Sequence, residues 1–137
     1  MNITADKIAG PVPVTILRLD GDLDASSFEG LIEAGRNAAD AGAHGILIDR
    51  RKVPFMGSSG LVAFHTIALL LAGEEPPDAE GGWSAHHAMR RSMEAGLQPH
   101  LRLFGPAATV RRALERTGMT RFIEIHEDQA TALAAFG

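Results

Sequence analysis

The sequence predicts an α/β domain with neighbouring parallel strands. Two observations carry this expectation. Short apolar runs alternate with amphipathic stretches of ten or so residues, the pattern of neighbouring parallel strands joined by helices. Ile46-Leu47-Ile48 is apolar without interruption, as expected of a strand covered on both faces. A length of 137 residues suits one core, so a single domain over 1–137 is expected. The composition is that of an ordinary globular chain, at 45% hydrophobic and 22% charged, and a folded core can be read from it.

The elements follow in order. Val12 to Leu19 reads as a strand, with Pro13 at an edge or at the start of its ladder. Asp20-Gly21-Asp22 is a turn. Ser26 and Glu29 have capping-box spacing, and Asp24 is an equally good cap for the helix that follows. Phe28, Leu31, Ile32, Gly35 and Ala38 form its inner stripe, and Gly42 and Gly45 end it. The run Ile46 to Ile48 is stopped by Asp49-Arg50-Arg51-Lys52. A turn over Val53 to Gly57 leads through two serines into a helix from about Leu61 to Ala72, broken by Gly73 to Asp78. A second helical stretch runs from Trp83 to Ala95. Leu101 to Phe104 is a strand, and Gly105-Pro106 opens a helix with Val110, Ala113, Leu114 and Thr117 inside and Gly118 at its end. Phe122 to Ile125 is the last strand, and Asp128 caps a short helix carrying Leu133 and Phe136.

Several functions are disfavoured by what the chain lacks. No apolar run reaches the roughly eighteen residues of a membrane span, and the most apolar, Leu61 to Ala72, contains His65 and Thr66. Met1 to Gly10 has no apolar signal core, so a cytoplasmic location without membrane insertion is expected. With no cysteine there are no disulfides and no thiolate zinc sites. The net charge of −4 argues against a nucleic-acid partner, and Arg111, Arg112 and Arg116 read as a solvated helix face.

Catalytic and cofactor motifs are missing too. Gly57-Ser58-Ser59-Gly60 is not the G-x-S-x-G of a nucleophile elbow, and no phosphate-cradling glycine loop occurs. The adjacent His86 and His87 point to different sides of a helix, and His44, His65, His100 and His126 lie apart, so no metal site is expected. Asp20, Asp22 and Asp24 lack the remainder of a calcium loop and read better as turn and cap residues. Neither a cofactor nor an enzymatic activity is expected.

Phe55-Met56-Gly57-Ser58-Ser59-Gly60-Leu61 places two hydroxyls where a tight turn becomes an apolar helix. Together with Leu23-Asp24-Ala25 before the first helix, the strand GILIDR and the tail from Leu101 to Phe136, this segment resembles the STAS domain family of bacterial anti-sigma factor antagonists. The resemblance covers nearly the whole chain and implies the STAS fold, a mixed, mostly parallel sheet of about four to five strands with about four helices, here with an inserted helical segment. It implies a non-enzymatic, protein-binding switch of partner-switching type. The unphosphorylated form would sequester an anti-sigma factor that is itself a serine kinase. Phosphorylation at Ser58, with Ser59 the second choice, would release that partner, and a PP2C-type phosphatase would reset the switch. A homodimer is compatible with it.

The sequence departs from the family pattern at two places. Gly57 stands where the family has an acidic residue, and a segment of roughly 73–90 is inserted after the serine helix. Both features suit an alternative, a non-phosphorylated STAS subunit of a larger signalling or lipid-transport assembly. Leu61, Phe64, Ile67, Ala68 and Leu71 form the helix's core stripe, yet Val62, Ala63, Leu69 and Leu70 are apolar as well, so its outward side must be covered by a partner or by the insertion. The expected partner surface comprises Asp22, Asp24, Gly57, Ser58, Ser59, Gly60, Val62, His65 and Leu69.

Overall fold

The computed structural model describes residues 1–8, 10, 12–73, 100–105 and 108–136. Expectations for the inserted segment, for Trp83 and for Pro106 lie outside these residues. The described elements are β1 (Asn2–Ile8), β2 (Val14–Asp20), α1 (Phe28–Asp40), β3 (Gly45–Lys52), α2 (Ser58–Leu71), β4 (Leu101–Phe104), α3 (Ala108–Thr117), a 3-10 turn (Met119–Arg121), β5 (Glu124–His126) and α4 (Gln129–Ala134). The five strands form one sheet in the order β1-β2-β3-β4-β5. β1 is antiparallel to β2, and the other three pairings are parallel. This is the mixed, mostly parallel sheet that the family resemblance implies.

Strand β1 was not anticipated. It lies at the sheet edge and is largely exposed, so its Asn, Thr, Asp and Lys carry no alternating apolar signal, and Ile3 and Ile8 are its only partly buried anchors. Pro13 immediately precedes β2, and its carbonyl accepts from the amides of His44 and Gly45 at 2.8 and 3.2 Å. Gly45 is therefore the first residue of β3 and not part of the end of α1.

The two sheet faces are unequal. Leu17, Leu19, Ile46, Ile48, Leu101 and Leu103 join residues of α1, α2 and α3 in the main core. Val14, Ile16, Leu47 and Phe104 meet Ala132 and Phe136 on the other side. β3 is thus covered on both faces, as its unbroken apolar run implied, but it does not stop at Ile48. Asp49, Arg50, Arg51 and Lys52 continue it, with Asp49 and Arg50 buried. Asp49 is held by Arg18 and Arg51, each at 2.9 Å. Burial opposes its ionisation, but hydrogen bonds from Arg51 and Arg18 outweigh it and hold the carboxyl below its usual range.

The other boundaries shift for local reasons. The Ser26–Glu29 capping box does not form. Ser27 is the N-cap of α1, and Asp24 accepts instead from the backbone and hydroxyl of Ser26, at 2.9 and 2.6 Å. The α1 stripe holds, with Leu31, Ile32, Gly35 and Ala38 buried. Phe122 and Ile123 are buried in the main core but precede β5, because the 3-10 turn after Gly118 delivers them before the ladder begins. Leu114 is buried in α3, Thr117 is exposed, and the side chains of Val110 and Ala113 lie outside the described residues. Asp128 caps α4 by accepting from the amide of Thr131 at 2.8 Å, and Phe136 is buried just beyond that helix.

Candidate functional site

The site is assembled where two loops run side by side. The amide of Gly21 donates to the Lys52 carbonyl (3.0 Å), Leu23 donates to Phe55 (3.0 Å), and Gly57 donates back to Leu23 (2.8 Å). Leu23 and Met56 form a parallel bridge. Gly21 makes the turn into this segment with φ of 125°, a conformation favouring glycine. These bonds bring the Asp22–Asp24 turn alongside the chain entering α2, so residues more than thirty positions apart share one rim.

Helix α2 begins at Ser58, three residues before the expected Leu61, and Gly57 is its N-cap. Ser58 and Ser59 are therefore the first two helical residues, and neither hydroxyl caps the helix. Glycine offers no side-chain acceptor, and the amides of Ser58 and Ser59 have no intrahelical partner. Ser58 is exposed and Ser59 half-buried, and neither side chain makes a hydrogen bond among the described residues. Asp22 is exposed at the same rim. Asp24 is half-buried, and hydrogen bonds from the side chain and backbone of Ser26 hold its carboxyl below the usual range.

Three expected contact residues are not at the surface. Gly60, Val62 and His65 are buried, and Leu69 is half-buried. Helix α2 is covered by its own domain. On one side Gly35 lets α1 approach so closely that a methyl there would come within 2.6 Å of Ile67. On another, the ring of Phe122 lies 5.5 Å from that of His65. Burial drives the His65 pKa down to about 4, so the ring is neutral at physiological pH. Gly60 is a packing requirement, since a methyl group there would meet Met56 at 2.7 Å and Leu23 at 2.9 Å. Gly57 is not: a Cβ there would find nothing closer than 3.8 Å, and its φ of −89° suits any residue.

Two residues of the site were missed in the sequence. Phe55 is 55% exposed, a large apolar side chain standing in solvent beside Gly57 and Ser58. Its signal was available in Pro54-Phe55, a loop position between a strand and a helix where a core role is unnecessary. In the sequence Arg50 belongs to the charged run Asp49 to Lys52 that suggests a stop. It is instead fully buried, with Nη2 3.5 Å from the Met56 sulfur and Cζ 5.2 Å from the centre of the Phe64 ring. Burial pushes its guanidinium down to about 10, which still leaves it charged at neutral pH. Among the described residues no group of three or more His, Asp or Glu side chains is placed to hold a metal ion, and no helix is long and apolar enough to cross a membrane.

Comparison with known proteins agrees with this architecture. No curated protein matches the chain. An anti-sigma factor antagonist from Mycobacterium paratuberculosis superposes with a TM-score of 0.65 at 17% identity, over 98% of this chain and 94% of that one. The unphosphorylated form of the anti-sigma factor antagonist SpoIIAA superposes with a TM-score of 0.63 at 18% identity, over 95% and 93%. A candidate anti-sigma factor antagonist from Thermotoga maritima gives 0.70 at 15% identity, over 96% and 92%. At such identities the likeness is one of fold. The family model for the STAS domain matches residues 3–72, from β1 to the end of α2, so the rim and both serines lie within it. The chain belongs to the STAS domain family.

Proposed function

We propose that this domain is a non-enzymatic, protein-binding regulator of the anti-sigma factor antagonist type, with Ser58 as its switch. Its partner on this reading is an anti-sigma factor with serine kinase activity, and a PP2C-type phosphatase resets it. The observation that carries the reading is the exposed Ser58 hydroxyl at the first position of α2, beside the exposed Phe55 and Asp22. In the modification the serine oxygen attacks the γ-phosphorus of ATP, ADP leaves, and the hydroxyl proton passes to solvent or a base of the kinase.

The physics favours a switch that leaves the domain folded. A phosphate at the start of a helix meets unpaired amides and the positive end of the dipole, worth a few tenths to about 1 kcal/mol. No acidic residue occupies the first turn of α2 to oppose it. A partner docked on the rim is affected differently. One new charge held about 4 Å from a like charge costs roughly 4 kcal/mol at an effective dielectric of about 20, or about three decades of affinity. The rim itself is Asp22, Asp24, Phe55, Gly57, Ser58 and Ser59; Leu69 lies about three turns further along α2 and is not part of it.

Incubating the chain with ATP and an anti-sigma kinase, followed by peptide mass analysis, tests the assignment. A single phosphate on Ser58, lost in Ser58→Ala, is the expected result. An unmodified chain after full turnover of a control substrate contradicts it.

One observation favours the alternative of a non-phosphorylated subunit in a signalling or lipid-transport assembly. Nothing in the backbone or packing requires glycine at 57, so the missing carboxylate is a property of the surface and not of the fold.

A further inference from the structure

Arg18, Arg51 and Arg102 each hold a carboxylate, whereas Arg50, the one fully buried arginine among the described residues, holds none. Nε and Nη1 of Arg50 have no hydrogen-bond partner among the described residues. Its remaining contacts are the Met56 thioether and the Phe64 face. Sulfur is a weak acceptor, and an aromatic ring offsets only part of the lost solvation of a cation with five N–H donors. The guanidinium is better arranged to receive an anion than to stand alone.

Its position says which anion. The Met56 side chain that it touches is packed against Gly60, where an added methyl would lie 2.7 Å from Met56 Cγ. Phe64 is one turn further along α2. Through Met56 and Phe64, Arg50 adjoins the first turns of a 14-residue helix whose Ser58 and Ser59 amides have no intrahelical partner, whose N-cap offers no side-chain bond and whose first turn contains no acid. The helix terminus supplies amides, and the buried cation supplies, independently, a planar fork that matches two oxygens of one phosphoryl group.

We propose that Arg50 and the first turn of α2 form a receptor for a phosphoryl group, opened when the Met56 side chain swings aside. Met56 is unbranched and half-buried, a flexible plug over the guanidinium. A phosphoryl oxygen replaces its weak N–H···S contact with charge-assisted bonds. Where the group is carried on Ser58 or Ser59 this deepens the switch described above and rests on it; where the group is free phosphate it does not.

Calorimetric titration of the full chain with inorganic phosphate, against chloride at equal ionic strength, tests the receptor. Saturable binding by the wild type, at least tenfold weaker in Arg50→Met and several-fold tighter in Met56→Ala, is expected. No saturable binding, or equal binding by Arg50→Met, overturns the proposal. If Arg50→Met does not fold, Met56→Ala decides, and an affinity equal to that of the wild type overturns it. Repeating the titration on chain phosphorylated at Ser58 separates the sources. Loss of phosphate binding means that the carried group fills the receptor, and undiminished binding means that free phosphate is its ligand. A kinase reaction that leaves Ser58 unmodified would remove the switch while leaving the titration of the unmodified chain intact.

Discussion

On the proposed function, Phe55 and Ser58 divide the work at the rim: Phe55 would offer the apolar area on which binding energy concentrates, and Ser58 the atom that changes charge. Because Phe55 is 55% exposed, its truncation removes little from the core. Phe55→Ala should leave stability within about 0.5 kcal/mol. It should weaken partner binding by about tenfold or more, as at a typical hot spot. Surface plasmon resonance beside a melting curve reads both quantities. An unchanged affinity would remove Phe55 from the interface. The serines stood out in the sequence only with the family resemblance, since two hydroxyls at a helix start read by themselves as ordinary caps. Phe55 and Arg50 did not stand out, because exposure and burial at a loop and at a strand end depend on which chains run beside them.

At the scale of elements, α2 shows both the reach and the limit of periodicity. An amphipathic helix reveals its inner face, and the α1 stripe was correct from Leu31 to Ala38. A helix apolar nearly all round conveys only that something covers it. Here α1 and Phe122 supply part of that cover, and Val62 is buried in the main core cluster. Val62→Glu should therefore act on folding: a buried, unpaired carboxylate costs about 4 kcal/mol, lowering the melting midpoint by roughly 10 °C or more. A Val62→Glu protein that melts like the wild type but no longer binds would reverse that assignment. Strands were hardest where charge interrupts them. Edge strand β1 has little to bury, and β3 continues through Asp49 and Arg50 because the fold supplies each with its own surroundings.

At the scale of the whole molecule, among the described residues, stability near neutral pH should depend on one ring above all. His65 is neutral in the fold, with its pKa lowered from 6.5 to about 4, because burial disfavours the imidazolium. The unfolded chain takes up a proton near pH 6.5 that the native chain refuses until about pH 4. The stability from this group is thus fully present above pH 6.5, falls as pH drops through that interval and levels off below about 4, a total of about 3 kcal/mol. His100, also lowered by burial, adds in the same direction. Urea midpoints measured between pH 7.5 and 5 should fall in the wild type and fall distinctly less in His65→Leu; identical slopes would contradict this account. The same burial that makes His65 pH-sensitive removes it from the docking surface, so partner affinity should show no step from its titration.

What joins these scales is a helix start open to solvent on a domain whose core lies elsewhere. The most direct test is the dissociation constant for an anti-sigma factor of chain carrying phosphoserine at 58, compared with unmodified chain in the same buffer. Binding weaker by about a hundredfold or more is the expected result. Equal dissociation constants for the two forms would contradict it.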